Sequence, residues 1–151
     1  WSLTDFIQAQ AQGRKVLELQ GDIRAGWRMV DTASGRVLQQ GRRLRDILRC
    51  LDADAGDCLL LAEVLQTLES DTLQQLWAEM PASQVWLQGI MDSRWSRTFE
   101  DGHVYRDSEA YIQQANMNGL RLVKYLKTPH KSAFGMDDQL SNESSFLVFA
   151  R

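Results

Sequence analysis

Cysteine and histidine are scarce in this 151-residue chain: two of each, Cys50 and Cys58, His103 and His130. Neither cysteine belongs to a CxxC pair. The histidines stand 27 positions apart, with no cysteine or second histidine at ligand spacing. A structural zinc site is thereby excluded, and no metal is expected. Cys50 falls at the end of an expected helix and Cys58 at the start of an expected strand, which reads as two reduced core thiols rather than a disulfide. Long hydrophobic runs are absent too. The longest, such as Cys58 to Ala62, fall far short of the roughly 18 apolar residues that a membrane span requires. With no spanning or signal segment visible, no membrane partner is expected and the cytoplasm is the expected compartment. No internal repeat or low-complexity segment occurs. Nor is there a GxSxG elbow, an HExxH helix or a Walker loop, so no catalytic residue is assigned.

What is present is the composition of a soluble globular domain: 44% hydrophobic and 25% charged residues exclude disordered and fibrous classes. The length suits one domain over 1–151, enough to bury roughly 70% of the surface its unfolded chain exposes. The chain opens at Trp1 rather than methionine, which suggests a piece of something longer. Net charge is only −3, but it is unevenly spread: residues 1–50 carry +4, residues 51–101 carry −8 and the rest +1. The basic concentration peaks at Arg36, Arg42, Arg43, Arg45 and Arg49. On a helix, Arg42, Arg45 and Arg49 share one face and would meet a phosphate or an acidic partner. The plainer alternative is a solvated surface paired with the acidic middle segment. The basic stretch has no interleaved aromatics and no nucleic-acid motif, so nucleic acid is set aside as a partner.

Periodicity gives the elements. Leu3 to Ala11 has helical spacing ended by Gly13, and Val16 to Leu19 reads as a strand. Trp27 to Asp31 and Arg36 to Gln40 flank a four-residue connection containing Gly35, the signal of a hairpin, so residues 14–40 read as three strands with almost nothing between them. Leu44, Ile47, Leu48 and Leu51 form the stripe of a helix closed by Asp52 to Gly56. Asp57 to Leu65, an amphipathic stretch from Ser70, and Val85 to Met91 form a buried strand, a helix and a second buried strand, the unit of a parallel α/β sheet. A helix at Ser108 to Asn118, a strand at Leu120 to Thr128 and a closing strand at Ser145 to Arg151 follow. The least patterned stretches, Asp92 to Asp107 and Pro129 to Ser144, both follow strands, where open sheets bind ligands. The first holds Trp95, Phe99, His103 and Tyr105. His103 has the titration range of a general base, but no nucleophile or carboxylate stands at a diagnostic spacing.

Four segments carry a resemblance to class I S-adenosylmethionine (SAM)-dependent methyltransferases. Gly13-Arg14-Lys15-Val16-Leu17-Glu18-Leu19 looks like the strand that opens the family's cofactor motif. Asp57 to Leu68 looks like its fourth strand, with Glu63 where an acidic residue often sits. Asp107 to Val123 and Phe146 to Arg151 look like its late helix and last strands. The similarity covers about 95 residues after position 56 and a fragment before it. It implies an α/β, Rossmann-like three-layer sandwich: a mostly parallel sheet with an antiparallel terminal strand. The N-terminal half departs from that pattern, with a hairpin in place of the first crossover.

The family's glycine-rich turn after the first strand is missing. The corresponding stretch, Glu18-Leu19-Gln20-Gly21-Asp22-Ile23-Arg24-Ala25-Gly26, retains only Gly21 and Gly26, and glycines are what let backbone amides approach such a cofactor. Asp31, the candidate for the ribose hydroxyls, comes too soon after Glu18 to leave room for a crossover helix. The resemblance therefore implies a pseudo-methyltransferase domain without a cofactor. Such domains are structural or interaction elements of multidomain synthases, including polyketide and peptide megasynthases. The expected partner is a protein or the neighbouring domains of a longer chain, met through Arg42, Arg45 and Arg49 or through Trp95, Phe99 and Tyr105. Two alternatives stand beside it: a methyltransferase holding SAM with Glu18, Gly21, Asp31 and Glu63, and a phosphate- or nucleotide-binding regulator using the arginine face.

Overall fold

A computed structural model describes residues 3–22, 24–62, 64–91, 97–98, 102–129 and 143–151. The helices are α1 (Leu3–Ala11), α2 (Leu44–Leu48), α3 (Ser70–Glu79) and α4 (Ser108–Met117), with a 3₁₀ turn at Leu65–Thr67. The strands are β1 (Val16–Asp22), β2 (Gly26–Asp31), β3 (Val37–Gly41), β4 (Cys58–Ala62), β5 (Gln84–Gly89), β6 (Arg97–Thr98), β7 (Val104–Tyr105), β8 (Arg121–Pro129) and β9 (Glu143–Ala150). Seven of them form one sheet in the order β3-β2-β1-β4-β5-β9-β8, and β6 and β7 pair separately.

Parallel pairing is confined to the centre. Val16 of β1 lies opposite Cys58 of β4, and Leu59 of β4 opposite Val85 of β5. β2 runs antiparallel to both β1 and β3, and β9 antiparallel to both β5 and β8. Five of the seven strands point the same way, yet only two of the six neighbouring pairs are parallel. The expected mostly parallel sheet is therefore corrected to a mixed one. Parallel neighbours need a connection of a dozen or more residues, whereas residues 23–25 join β1 to β2 and residues 32–36 join β2 to β3. The hairpin expected over residues 27–40 is present, as is the antiparallel terminal strand.

Side chains alternate across the strands and so feed two cores. Leu17, Leu19, Leu59, Leu61 and Leu87 face α2, α3 and α4. Val16, Leu60, Trp86, Phe146 and Val148 face Ile7 and Ala11 of α1. Leu59, Leu60 and Leu61 are at most 2% exposed, as are Trp86 and Leu87, the signature of strands covered on both sides. The layers are unequal, however. Among the described residues α1 alone covers the second face, so the three-layer sandwich expected from the sequence has one full and one partial outer layer. α1 is pinned there by edge-on ring packing, Phe6 on Phe146 at 5.0 Å, with Trp86 on Phe146 at 5.7 Å beneath it.

Trp77 of α3 is core, as its helical spacing predicts, and its indole N–H donates to Gln114 Oε1 of α4 at 3.1 Å. α4 begins at an Asp107 cap, whose Oδ1 accepts the Ala110 N–H at 2.9 Å. α2 is shorter than its stripe implies: after Leu48 the chain tightens, with Cys50 and Leu51 donating to carbonyls three residues back, and this still buries Leu51. Both cysteines are free thiols. Cys50 packs against the core on one face and Cys58 lies in the core on the other, so the sheet separates them. Among the described residues no helix is long and apolar enough to cross a membrane.

Candidate functional site at the carboxyl ends of the strands

β1 and β4 lie side by side and parallel, and the chain leaves them in opposite directions, to β2 on one flank and towards β5 on the other. This is a topological switch point, where open α/β sheets hold ligands beyond the strand ends. In this chain the end of β1 turns straight back into β2, with Gly21 opposite Trp27 and Asp22 opposite Gly26. Gly21 has φ +105°, and a Cβ built on it would stand 2.1 Å from the Gly26 carbonyl oxygen. What presses on this glycine is the protein's own backbone. The hairpin explains its presence.

The reversal of β2 also moves Asp31. It pairs with Leu17 near the start of β1, at the opposite end of that strand from Gly21, and its Oδ1 accepts the Ala33 N–H at 3.0 Å within the turn to β3. Glu18 sits between them and accepts from Gln20 Nε2 at 3.1 Å, while Gln20 Oε1 accepts from Arg28 Nε at 3.0 Å. Glu63 lies outside the described residues. Glu18, Gly21 and Asp31 are thus spread along β1 and its partner instead of converging on one pocket.

The arginines do converge, though not as one helical face. α2 is five residues long, so Arg42 precedes it and Arg49 follows as its C-cap. Arg42, Arg45 and Arg49 nevertheless line one cavity of about 530 Å³ together with Arg43, and α3 supplies Thr72 and Gln75 to the opposite wall. Arg45 grips Glu79 of α3 with both arms of its fork, Nη2 to Oε1 at 2.8 Å and Nε to Oε2 at 3.4 Å. That hydrogen bond holds the Glu79 carboxyl below its usual range and raises Arg45. Arg49 pairs with Asp46 at 3.6 Å. A neighbouring cavity of about 410 Å³, at the ends of β1, β2 and β3, shares Trp27 and Arg42 with the first.

Of the expected aromatic contacts, Trp95 and Phe99 lie outside the described residues. Tyr105 is half-buried on β7 with His103 edge-on at 6.5 Å. Next to it, Arg106 is buried and donates to the carbonyls of Leu65, at 3.4 Å, and Leu68, at 2.8 Å, with its guanidinium 6.0 Å from the Tyr111 ring. It ties the end of β7 to the 3₁₀ turn, a role that no spacing in the sequence marks.

Two polar groups near the same end of the sheet escaped sequence reading. The buried Gln88 of β5 has an Oε1 with no hydrogen-bond partner among the described residues. On β8, the Tyr125 hydroxyl lies 3.2 Å from the buried Ser145 Oγ, which also accepts from Lys127 Nζ at 3.4 Å. The Ser145 contact is the largest influence holding the Tyr125 phenol below its usual range. The two-residue spacing of Tyr125 and Lys127 was the available signal, since it places both on one side of a strand.

No protein-family model matches the chain, and no curated protein does. Among solved structures, a LepI variant in complex with SAH and a substrate analogue aligns over 97% of this chain at 13% identity and a TM-score of 0.51. LepI in complex with SAM aligns over 97% at 12% identity and a TM-score of 0.50. A SAM-dependent methyltransferase from Leishmania major aligns over 61% at 13% identity and a TM-score of 0.45. The alignments cover 39%, 39% and 37% of those chains, so this chain spans about two-fifths of their length. At these identities the likeness is one of fold: the chain has a methyltransferase-like α/β fold built on a mixed seven-stranded sheet.

Proposed function

We propose that this chain is a pseudo-methyltransferase domain, one that keeps the sheet, does not hold SAM, and serves as a structural or protein-interaction element beside other domains of a multidomain protein. The observation that carries this reading is the closure of the β1 end. Where a glycine cradle would leave open space for a cofactor, the Gly21 Cβ position meets the Gly26 carbonyl oxygen at 2.1 Å. The displacement of Asp31 to the other end of β1 supports it as well, because a residue there is out of reach of a ribose held at the carboxyl end.

Titration calorimetry with SAM and with its demethylated product tests the reading. The expected result is no binding tighter than about 100 μM, or roughly 5.5 kcal/mol at the standard state. Tighter binding would overturn the cofactor-free reading, and transfer of a labelled methyl group that disappears on Asp31→Ala or Glu63→Ala would establish the enzyme instead.

A further inference from the structure

We propose that the cleft between α2 and α3 is a docking groove for an acidic, extended segment of a partner protein, whose carboxylates are gripped by Arg42, Arg43 and Arg49. This rests on the interaction-element reading above and names the chemistry of the partner.

Residues 42–49 hold four arginines and one aspartate. The plainer expectation, that they pair with the chain's acidic middle segment, is met at Arg45, which is taken by Glu79, whereas Arg49 pairs with Asp46 of its own segment. Arg42 and Arg43 have no carboxylate partner among the described residues, and they open into the same cavity of about 530 Å³. The arginine cluster therefore has a far wall, formed by Thr72 and Gln75 of α3. Arg45 and Glu79 already display the fork-on-carboxylate geometry that an incoming acidic side chain would adopt at Arg42 and Arg43.

The shape favours a length of chain over a single ion. The second cavity joins the first at Trp27 and Arg42 and continues past Gly26 and Gly41, so a segment can lie along the ends of β2 and β3. A lone phosphate would meet guanidiniums that stand well out in solvent, Arg45 at 62% and Arg49 at 73% side-chain exposure. Such contacts are individually weak and add up only along a polyanion. Nucleic acid fits less well. Trp27, the aromatic lining both cavities, is 3% exposed and offers no face for base stacking.

The test is fluorescence anisotropy of the full chain with a labelled eight-residue glutamate-rich peptide, its glutamine counterpart, inorganic phosphate as competitor, and a thymidine oligonucleotide of matched charge. The glutamate peptide is expected to bind saturably and to weaken about tenfold as salt rises from about 50 to about 300 mM, while the glutamine peptide does not bind. Arg42→Gln with Arg43→Gln should weaken binding by at least about fivefold with the thermal midpoint unchanged. Arg36→Gln, outside the cleft, should leave binding alone, and Glu79→Gln, which removes the internal carboxylate competing for Arg45, should tighten it. Equal binding of the glutamine peptide, no effect of the double substitution, tighter binding of the oligonucleotide, or full displacement by low millimolar phosphate would each overturn the proposal. SAM titrated into the same sample reports separately on the parent reading: a SAM signal ends that reading, whereas failure of the peptide alone ends only this one.

Discussion

Replacing Gly21 with alanine separates the two explanations for a glycine at the end of β1. If it were a remnant cofactor contact, a methyl group there would disturb ligand binding and little else. In this fold the methyl group would stand 2.1 Å from the Gly26 carbonyl oxygen and 3.2 Å from Trp27 Cα, at a φ of +105° that a side chain rarely adopts. Backbone strain of this kind costs about 1–3 kcal/mol, and forcing extra volume against packed neighbours adds about 1–3 kcal/mol. Gly21→Ala should therefore lose about 2–6 kcal/mol of a total stability on the order of 5–15 kcal/mol. Gly35→Ala is the matched control: its φ is +73°, but no atom of the described residues lies within 4 Å of the added carbon, so it should lose only the strain, about 1–2 kcal/mol. Urea unfolding of the three proteins, with midpoints compared at constant m, reads both numbers. A Gly21→Ala loss no larger than that of Gly35→Ala would refute the closed hairpin, and with it the main reason for reading the site as unable to hold a cofactor.

Leu60, 2% exposed beneath α1, should cost about 2–5 kcal/mol when cut to alanine, measured by the same unfolding; a loss under about 1 kcal/mol would show that α1 does not seal that face. The Glu79 carboxyl, held down by Arg45, should titrate in NMR below the ordinary glutamate value of about 4.3 and return towards it in Arg45→Gln. Its pKa is depressed in the folded state, so the associated stabilisation is present above the unfolded value and is lost as pH falls through the folded one. A Glu79 titration that Arg45→Gln leaves unmoved would refute the pairing.

Much of the fold was legible because its elements are locally consistent. α1 runs from Leu3 to Ala11 as its spacing predicts, and the β2–β3 hairpin follows from alternation around a short Gly35-containing link. What was not legible depends on contacts distant in sequence. Nothing in residues 3–11 reveals that, among the described residues, this helix alone supplies the partial layer on that face. The 42–49 segment reads as a helix carrying three aligned arginines. The observed cleft instead depends on α3 arriving to supply Thr72 and Gln75, and on α2 being too short to include Arg42. Arg106 was invisible for the same reason, since its carbonyl partners, Leu65 and Leu68, lie about 40 positions away.

The two hairpins that join β1 to β2 and β2 to β3 obey a parity rule. Exchanging one crossover for a tight turn flips the direction of every later strand, and a second exchange restores it. β3 accordingly points the same way as β1, and the chain enters β4 parallel to β1 and continues into β5 without further adjustment. A sheet of this kind can shed crossover helices from one flank and keep the other intact only by losing them in even numbers. A relative that lacked a single one would have to reverse β4 and β5, turning the buried parallel centre of the molecule into a different fold.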